Sequence, residues 1–487
     1  MSNEVLKGIE PASVFNYFEK ISRIPRASGN EKAISDFLVS FAKGLELEVI
    51  QDSVNNIIIK KKGTAGYENA PIVIIQGHLD MVCEKNTGTV HDFEKDPIEL
   101  VVDGDYISAN GTTLGADNGI AVAYAMALLA STDIPHPPLE VLLTTDEETG
   151  MTGALGVNPD HIDGRILINI DSEEEGQLWV SCAGGLRTKV TLPADYEEFA
   201  GDICECIIKI RGLKGGHSGM DIDKQRGNSN RLMGRILLDA LKKIDFKLES
   251  INGGAKNNAI PREGDAKLYI EASKVEELKA IIEEWNEIFK NEYLISDPGL
   301  KVELEIATVS HKVKVLKDDI KEKAIKLLYL IPNGIQSMSL DIKGLVQSSA
   351  NLGIVTTTDE AIVYDSAVRS SIRSLKADIS LQTELIGEAN GAKVEEGAQY
   401  PEWQYDQNSK LRELFKEVYK DMYGKDAEIV AMHAGIECGL FKEKFGDIDM
   451  ISFGPNMYDV HTPDEHLSIS STERTWEYLL AVLKKMK

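Results

Sequence analysis

At 487 residues the chain exceeds what one ordinary hydrophobic core supports, so two or more domains are predicted. Apolar content of 43% and charged content of 27% are those of a globular protein, and no apolar stretch is long enough to span a membrane. A formal charge of −26 argues against a phosphate backbone as partner and fits a solvated acidic surface.

From the N-terminus, residues 14–21 carry the apolar spacing of an amphipathic helix. Residues 72–75 form a short apolar run that reads as a strand buried on both faces, and His78-Leu79-Asp80 follows it. Asp117-Asn118-Gly119 opens the apolar run 120–129, where Asp117 could serve simply as a helix cap. Residues 141–143 and 166–170 are two more buried-strand runs, followed by Glu147-Glu148 and by Asp171. Gly184-Gly185 marks an exit, and beyond it the pattern changes. Residues 206–210 and 267–271 alternate apolar and polar, as in an antiparallel sheet with one wet face. Cys204-Glu205-Cys206 fits such an alternation better than a metal pair, since no second thiol pair accompanies it. Apolar stripes predict helices at 231–243 and 275–289, and a second set of strands and helices fills 300–395. This stretch reads as two adjacent α+β units, an internal duplication. Tyr400-Pro401-Glu402-Trp403 marks the return, 410–419 is an amphipathic helix, and the run 450–453 precedes His461. The expected layout is one α/β domain with a mostly parallel sheet, residues 1–186 and 401–487, interrupted by an inserted α+β domain at 187–400.

Ligands of open α/β sheets bind beyond the carboxyl ends of the strands. His78, Asp117, Glu148, Asp171 and His461 are therefore placed together as a metal site. A single catalytic zinc takes three protein ligands and a water, so five candidates exceed what one ion needs. Two ions about 3.5–4 Å apart, sharing one carboxylate, would use them all. A mixed His/carboxylate set suits zinc, with cobalt or manganese as alternatives. Asp80, two residues beyond His78 on an extended segment, faces the same way and can hold the other ring nitrogen. Glu147 and Glu148 point differently, so one can bind metal while the other takes a proton from the attacking water. Each carboxylate alone reads as a loop charge; the constellation is what carries the metal reading.

The order His-x-Asp, Asp, Glu-Glu, Asp, His resembles that of the co-catalytic zinc hydrolases that include carboxypeptidase G, the aminoacylases and several dipeptidases. The strings Gly77–Val82, Thr113–Gly119, Asp146–Gly150, Asn169–Gly176, Gly215–Gly219, Asn257–Arg262, His433–Gly439 and His461–Glu465 are most similar to the aminoacyl-histidine (Xaa-His, bacterial carnosinase-like) dipeptidases. The resemblance implies two Zn2+ per chain. His78 and Asp171 complete one site, Glu148 and His461 the other, and Asp117 bridges. It further implies Glu147 as general base, Asp80 as support for His78, and His217 as a residue of an unusually large, doubled lid that helps hold the developing oxyanion. Hydrolysis of dipeptides by a metal-bridging hydroxide follows. On its own residues, His217 in a glycine turn also reads as an ordinary loop histidine. Arg369 and Arg226 are candidates for the substrate carboxylate, each equally readable as a surface arginine.

A small peptide is thus the expected partner, with no nucleic acid and no membrane, and a homodimer left open. The five scattered cysteines and an N-terminus without a basic-then-apolar segment lead to an expected cytoplasmic location. Two rival readings stand beside the dipeptidase: an N-acyl amino-acid amidase or tripeptidase with the same metals, and a metal-dependent binding protein without catalysis. Glu147 weighs against the last, because a pure binding site needs ligands but no free base.

Overall fold

The computed structural model describes residues 4–487, and the chain divides into two compact units. The first comprises Met1–Ser181, Tyr405–Ala431 and Ile436–Lys487. It is built on an eight-stranded sheet in the order Glu48–Gln51, Ile57–Lys61, Leu139–Thr144, Val73–His78, Ile166–Asn169, Asp449–Ser452, Gln177–Cys182, Glu428–Met432. The four central strands, Leu139–Thr144 to Asp449–Ser452, run parallel. They carry the runs 72–75, 141–143, 166–170 and 450–453, apolar but for Asn169 and Ser452, and all of Val73–His78 and Leu139–Thr144 is buried. Flanking pairs such as Ile57–Lys61 with Leu139–Thr144 are antiparallel.

Helix Ala116–Ala130 is apolar all round from Ile120 to Leu129, as a helix enclosed by the core must be. It packs on strand Val73–His78, where Gly77 leaves room for Asn118 and Ala121; a Cβ at Gly77 would collide with both. Tyr124 meets Trp476 of helix Ile469–Lys485 with the rings tilted by 35° and 5.3 Å between ring centres. Phe415 of helix Lys410–Tyr423 meets Phe453 and Tyr478 at 5.2 and 5.4 Å. A small sheet of Leu100–Asp103, Tyr106–Ala109, His466–Ser468 and Met457–Tyr458 completes the unit.

The second unit comprises Cys182–Gln404 and Met432–Gly435. Its nine-stranded sheet is antiparallel and contains two βαββαβ halves. The first half runs Ile203–Arg211, Ser229–Lys243, Lys247–Gly253, Gly264–Glu271, Val275–Glu292, Lys301–Val309, with spatial strand order 4-1-3-2. The second runs Asp318–Leu330, Val346–Thr357, Ala361–Ser370, Arg373–Ala389, Lys393–Tyr400, and takes as its first strand Gly184–Pro193, from before the first half. With that strand its order is also 4-1-3-2, and the halves join where Lys247–Gly253 pairs with Val346–Thr357. The halves are therefore nested, not adjacent as the sequence reading had them. Strand Gly184–Pro193 also starts ahead of the boundary expected at residue 187. Cys204 and Cys206 lie on the buried face of their strand as free thiols. Among the described residues no helix is long and apolar enough to cross a membrane.

Candidate metal centre

His78 ends its strand, fully buried, with its backbone N–H donating to Asn118 Oδ1 at 3.1 Å. Asn118 Nδ2 donates to the Ile170 carbonyl at 2.6 Å, so one amide ties two strand ends to the start of a helix. Asp117, immediately before, has an extended ψ of 108° inside the helix span, and its carboxylate caps nothing. Its Oδ1 lies 3.0 Å from His78 Nε2 and its Oδ2 lies 3.1 Å from His461 Nε2. His78 Nε2 is also 3.4 Å from Asp171 Oδ1, and His461 Nε2 is 3.1 Å from Glu148 Oε2. The cluster thus falls into two triads that share Asp117, one oxygen to each. Donor atoms of His78, Asp117 and Glu148 all lie within 4.8 Å of one another, so the triads adjoin.

These separations fit divalent cations. Ligand bonds of about 2.0–2.1 Å in a tetrahedron put neighbouring donor atoms roughly 3.3 Å apart. The buried Glu148 Oε1 has no hydrogen-bond partner, as expected of an atom that faces a cation. Among the described residues no Lys or Arg forms an ion pair with Asp117, Glu148 or Asp171. Among the described residues these carboxylates pair directly with two imidazoles alone.

The loop ends arrive differently. Glu147 and Glu148 follow strand Leu139–Thr144 through a turn in which Asp146 has φ +55°. Their backbone N–H groups both donate to Asp80, at 3.1 and 3.2 Å. Asp80 Oδ1 is 3.3 Å from His78 Nδ1, near enough to pair charges but not aligned as a hydrogen bond. Asp80 therefore holds the Glu147-Glu148 turn at least as firmly as it holds the imidazole. His461 is not at a strand end, although the run 450–453 suggested it. The strand stops at Ser452, the short strand Met457–Tyr458 intervenes, and His461 sits half-exposed in a turn with φ +64°, a conformation few non-glycine residues adopt.

In the second unit, His217 pairs through Gly216–His217 with Ala259–Ile260. Its Nδ1 accepts the N–H groups of Gly219 and Met220 at 3.3 and 3.1 Å, so the neutral ring carries its proton on Nε2. Burial, and then Arg369, keep its pKa below the usual value, so this neutral form dominates at pH 7. Arg369 is 7% exposed. It donates to Tyr400 Oη and, at 3.4 Å, to Ser218 Oγ, and it pairs with no acid among the described residues. Arg369 Nη2 and His217 Nε2 stand 3.4 Å apart, two donors side by side on the tautomer that the Nδ1 contacts fix. Arg226 is placed elsewhere in the turn: it donates to the Gly215 carbonyl and lies 3.9 Å from Asp221.

With this geometry in view, comparison with known proteins is decisive. The signature of peptidase family M20/M25/M40 matches residues 74–485. The chain belongs to that family. The peptidase is 41% identical to the cytosol non-specific dipeptidase of Escherichia coli (strain K12) over 99% of both chains. It superposes on the crystal structure of aminoacylhistidine dipeptidase from Vibrio alginolyticus with a TM-score of 0.94 at 37% identity, covering 99% of this chain and 98% of that one. An aminopeptidase from Bacillus cereus ATCC 10987 shares the fold alone, with a TM-score of 0.56 at 15% identity over 98% of this chain and 99% of that one.

The peptidase's ionisable groups are strongly perturbed. Burial raises the Glu147 carboxyl to about 9, helped by Asp171, Glu437 and Glu148. Burial likewise lifts Asp171 to about 6 and Glu437 to about 8. Hydrogen bonds to Asp117 and Glu148 raise His461 to about 11. Burial opposes the charge on His78, but Asp171, Asp117 and Asp80 outweigh it and hold its pKa well above the usual value. Bound divalent cations would reverse this, favouring neutral imidazoles and ionised carboxylates.

Three further buried residues had no role in the sequence reading. Glu437, 1% exposed, accepts from Gln76 Nε2 at 2.7 Å and Thr144 Oγ1 at 2.9 Å. His433, whose Nε2 meets Ser349 Oγ at 2.7 Å, is driven down to about 3 by burial and then Arg369. Glu465 binds the segment before Asp117. All three stood inside the quoted strings, where a buried acid cannot be told from a solvated one.

Proposed function

We propose that the peptidase hydrolyses dipeptides, Xaa-His types among them, at a centre of two divalent cations, zinc above cobalt or manganese. The observation that carries this reading is Asp117, with one oxygen toward each of two His-carboxylate groups. His78 and Asp171 would hold one cation, His461 and Glu148 the other. Cations there would supply Lewis acidity for the scissile carbonyl and a water acidified toward neutrality. Glu147, half-buried and in no ion pair with either imidazole among the described residues, takes the proton of the attacking water and returns it to the departing amine as the C–N bond breaks. Asp80 fixes the Glu147 backbone for both transfers.

His217 and Arg369 complete the reading. His217 Nε2 and Arg369 Nη2, side by side as donors, suit a substrate oxygen and a terminal carboxylate, and an arginine fork matches the carboxylate geometrically. The relatives' names divide between non-specific and aminoacylhistidine activity, so a substrate panel is the direct test. The expected result is rapid, chelator-sensitive cleavage of Xaa-His and other dipeptides, with C-terminal amides, tripeptides and N-acyl amino acids cleaved poorly. Preferred cleavage of N-acyl amino acids or tripeptides would contradict it. Arg369→Lys should raise KM for free dipeptides and leave the amides unaffected. The match to a protein named for the cytosol supports a cytoplasmic location.

His217→Ala is expected to lower kcat by roughly 10²–10³, as for a lost oxyanion donor, with cation content and KM little changed. Unchanged kcat with a large rise in KM would recast His217 as a ground-state contact.

A further inference from the structure

Gly115, Ala116 and Asp117 carry no side chain that fixes where the shared carboxylate sits. Their backbone is held instead from both sides. Glu465 Oε2 accepts the N–H groups of Leu114 and Gly115 at 2.7 and 2.9 Å, and Oε1 those of Ala116 and Asp117 at 2.8 and 3.4 Å. From the other side Arg26 Nη2 donates to the Gly115 carbonyl, while Nη1 donates to the carbonyls of Leu79 and Asp80 at 2.9 and 3.0 Å. The peptide unit joining Gly115 to Ala116 is thus gripped at its C=O by Arg26 and at its N–H by Glu465. Both side chains are 2% exposed.

Each clamp residue is also anchored to a ligand-bearing segment. The Glu465 N–H closes onto the Thr462 carbonyl at 3.1 Å, in the turn that carries His461. The Arg26 carbonyl accepts from Met81 N at 3.2 Å, on the segment that follows His78. Two glycines of the Asp117 string make room for the guanidinium. A Cβ at Gly115 would lie 2.5 Å from Arg26 Nη2, and one at Gly119 would lie 2.7 Å from it.

We propose that Arg26 and Glu465 form a positioning clamp that sets Asp117 between His78 and His461, and so sets the geometry of the shared cation ligand. This rests on the two-cation reading given above. Neither residue touches substrate or reacting atoms; each acts through the backbone of Asp117. A buried Arg and a buried Glu on opposite sides of one peptide unit also meet each other's charge, which an uncharged pair could not do.

The test is calorimetric titration of metal-stripped protein with Zn2+, with folding checked by circular dichroism. The parent should bind two equivalents. Glu465→Gln, which turns one acceptor into a donor facing backbone N–H groups, should weaken binding of the second equivalent by roughly 10–100-fold, the range for outer partners of metal ligands. Glu465→Asp, which keeps the charge on a shorter stem, should lose less. If Glu465→Gln fails to fold, Arg26→Lys, which removes the fork but keeps the charge, takes the same titration and the same expectation. Zn2+ affinities equal to the parent's in folded variants, with only the melting temperature lowered, would overturn the clamp. A parent that takes a single equivalent would overturn the two-cation reading itself, and the clamp with it.

Discussion

Glu147→Gln is expected to lower kcat by roughly 10²–10⁴-fold while leaving cation content at the parent's level, because it removes a proton carrier and no ligand. On the proposed reading the adjacent glutamates divide the work by direction. Glu148 Oε2 faces His461 at 3.1 Å, whereas Glu147 forms no ion pair with either imidazole among the described residues. Burial lifts the Glu147 carboxyl to about 9 without cations, and nearby divalent charge would bring it down toward the working range of a base. Glu148→Ala should give the opposite pattern, weaker cation binding with activity restored by excess metal. Steady-state kinetics beside elemental analysis of dialysed protein distinguishes the two variants. An exchange of their phenotypes would mean that base and ligand are interchanged.

Asp117→Ala should abolish cation binding and turnover together, leaving activity at the level of metal-stripped parent. Among the described residues no other carboxylate pairs with both imidazoles, so both triads lose a donor. Burial works against its ionisation, but His461 and His78 outweigh that and hold its carboxyl well below the usual range. Removing it leaves two imidazoles ringed by Asp80, Asp171 and Glu148 with no shared partner. The variant should remain folded, since the Asp117 carboxylate caps no helix. Retention of one tightly bound cation with substantial turnover would contradict a shared role.

The parallel centre of the fold was legible because strands buried on both faces are near-continuous apolar runs, as 72–75, 141–143, 166–170 and 450–453 are but for Asn169 and Ser452. Asp117 was legible as part of a constellation, though not as a residue freed from capping by its extended ψ. His461 was legible by type, but its turn beyond Met457–Tyr458 depends on a small sheet that leaves no periodic trace. The nested halves were hidden because strand Gly184–Pro193 is separated from its helix, Asp318–Leu330, by the whole first half. Hydrophobic period reports faces, not partners. The same limit concealed Arg26 and Glu465, whose bonds to the backbone before Asp117 join segments far apart in sequence.

The central claim is that Asp117 joins two cations. Crystals equilibrated with Zn2+ and measured at the zinc absorption edge test it directly. Two anomalous peaks are predicted, about 3.5–4 Å apart, one between His78 and Asp171 and the other between His461 and Glu148, each against one oxygen of Asp117. A single peak at full occupancy, or two peaks with Asp117 bound to only one, would contradict it.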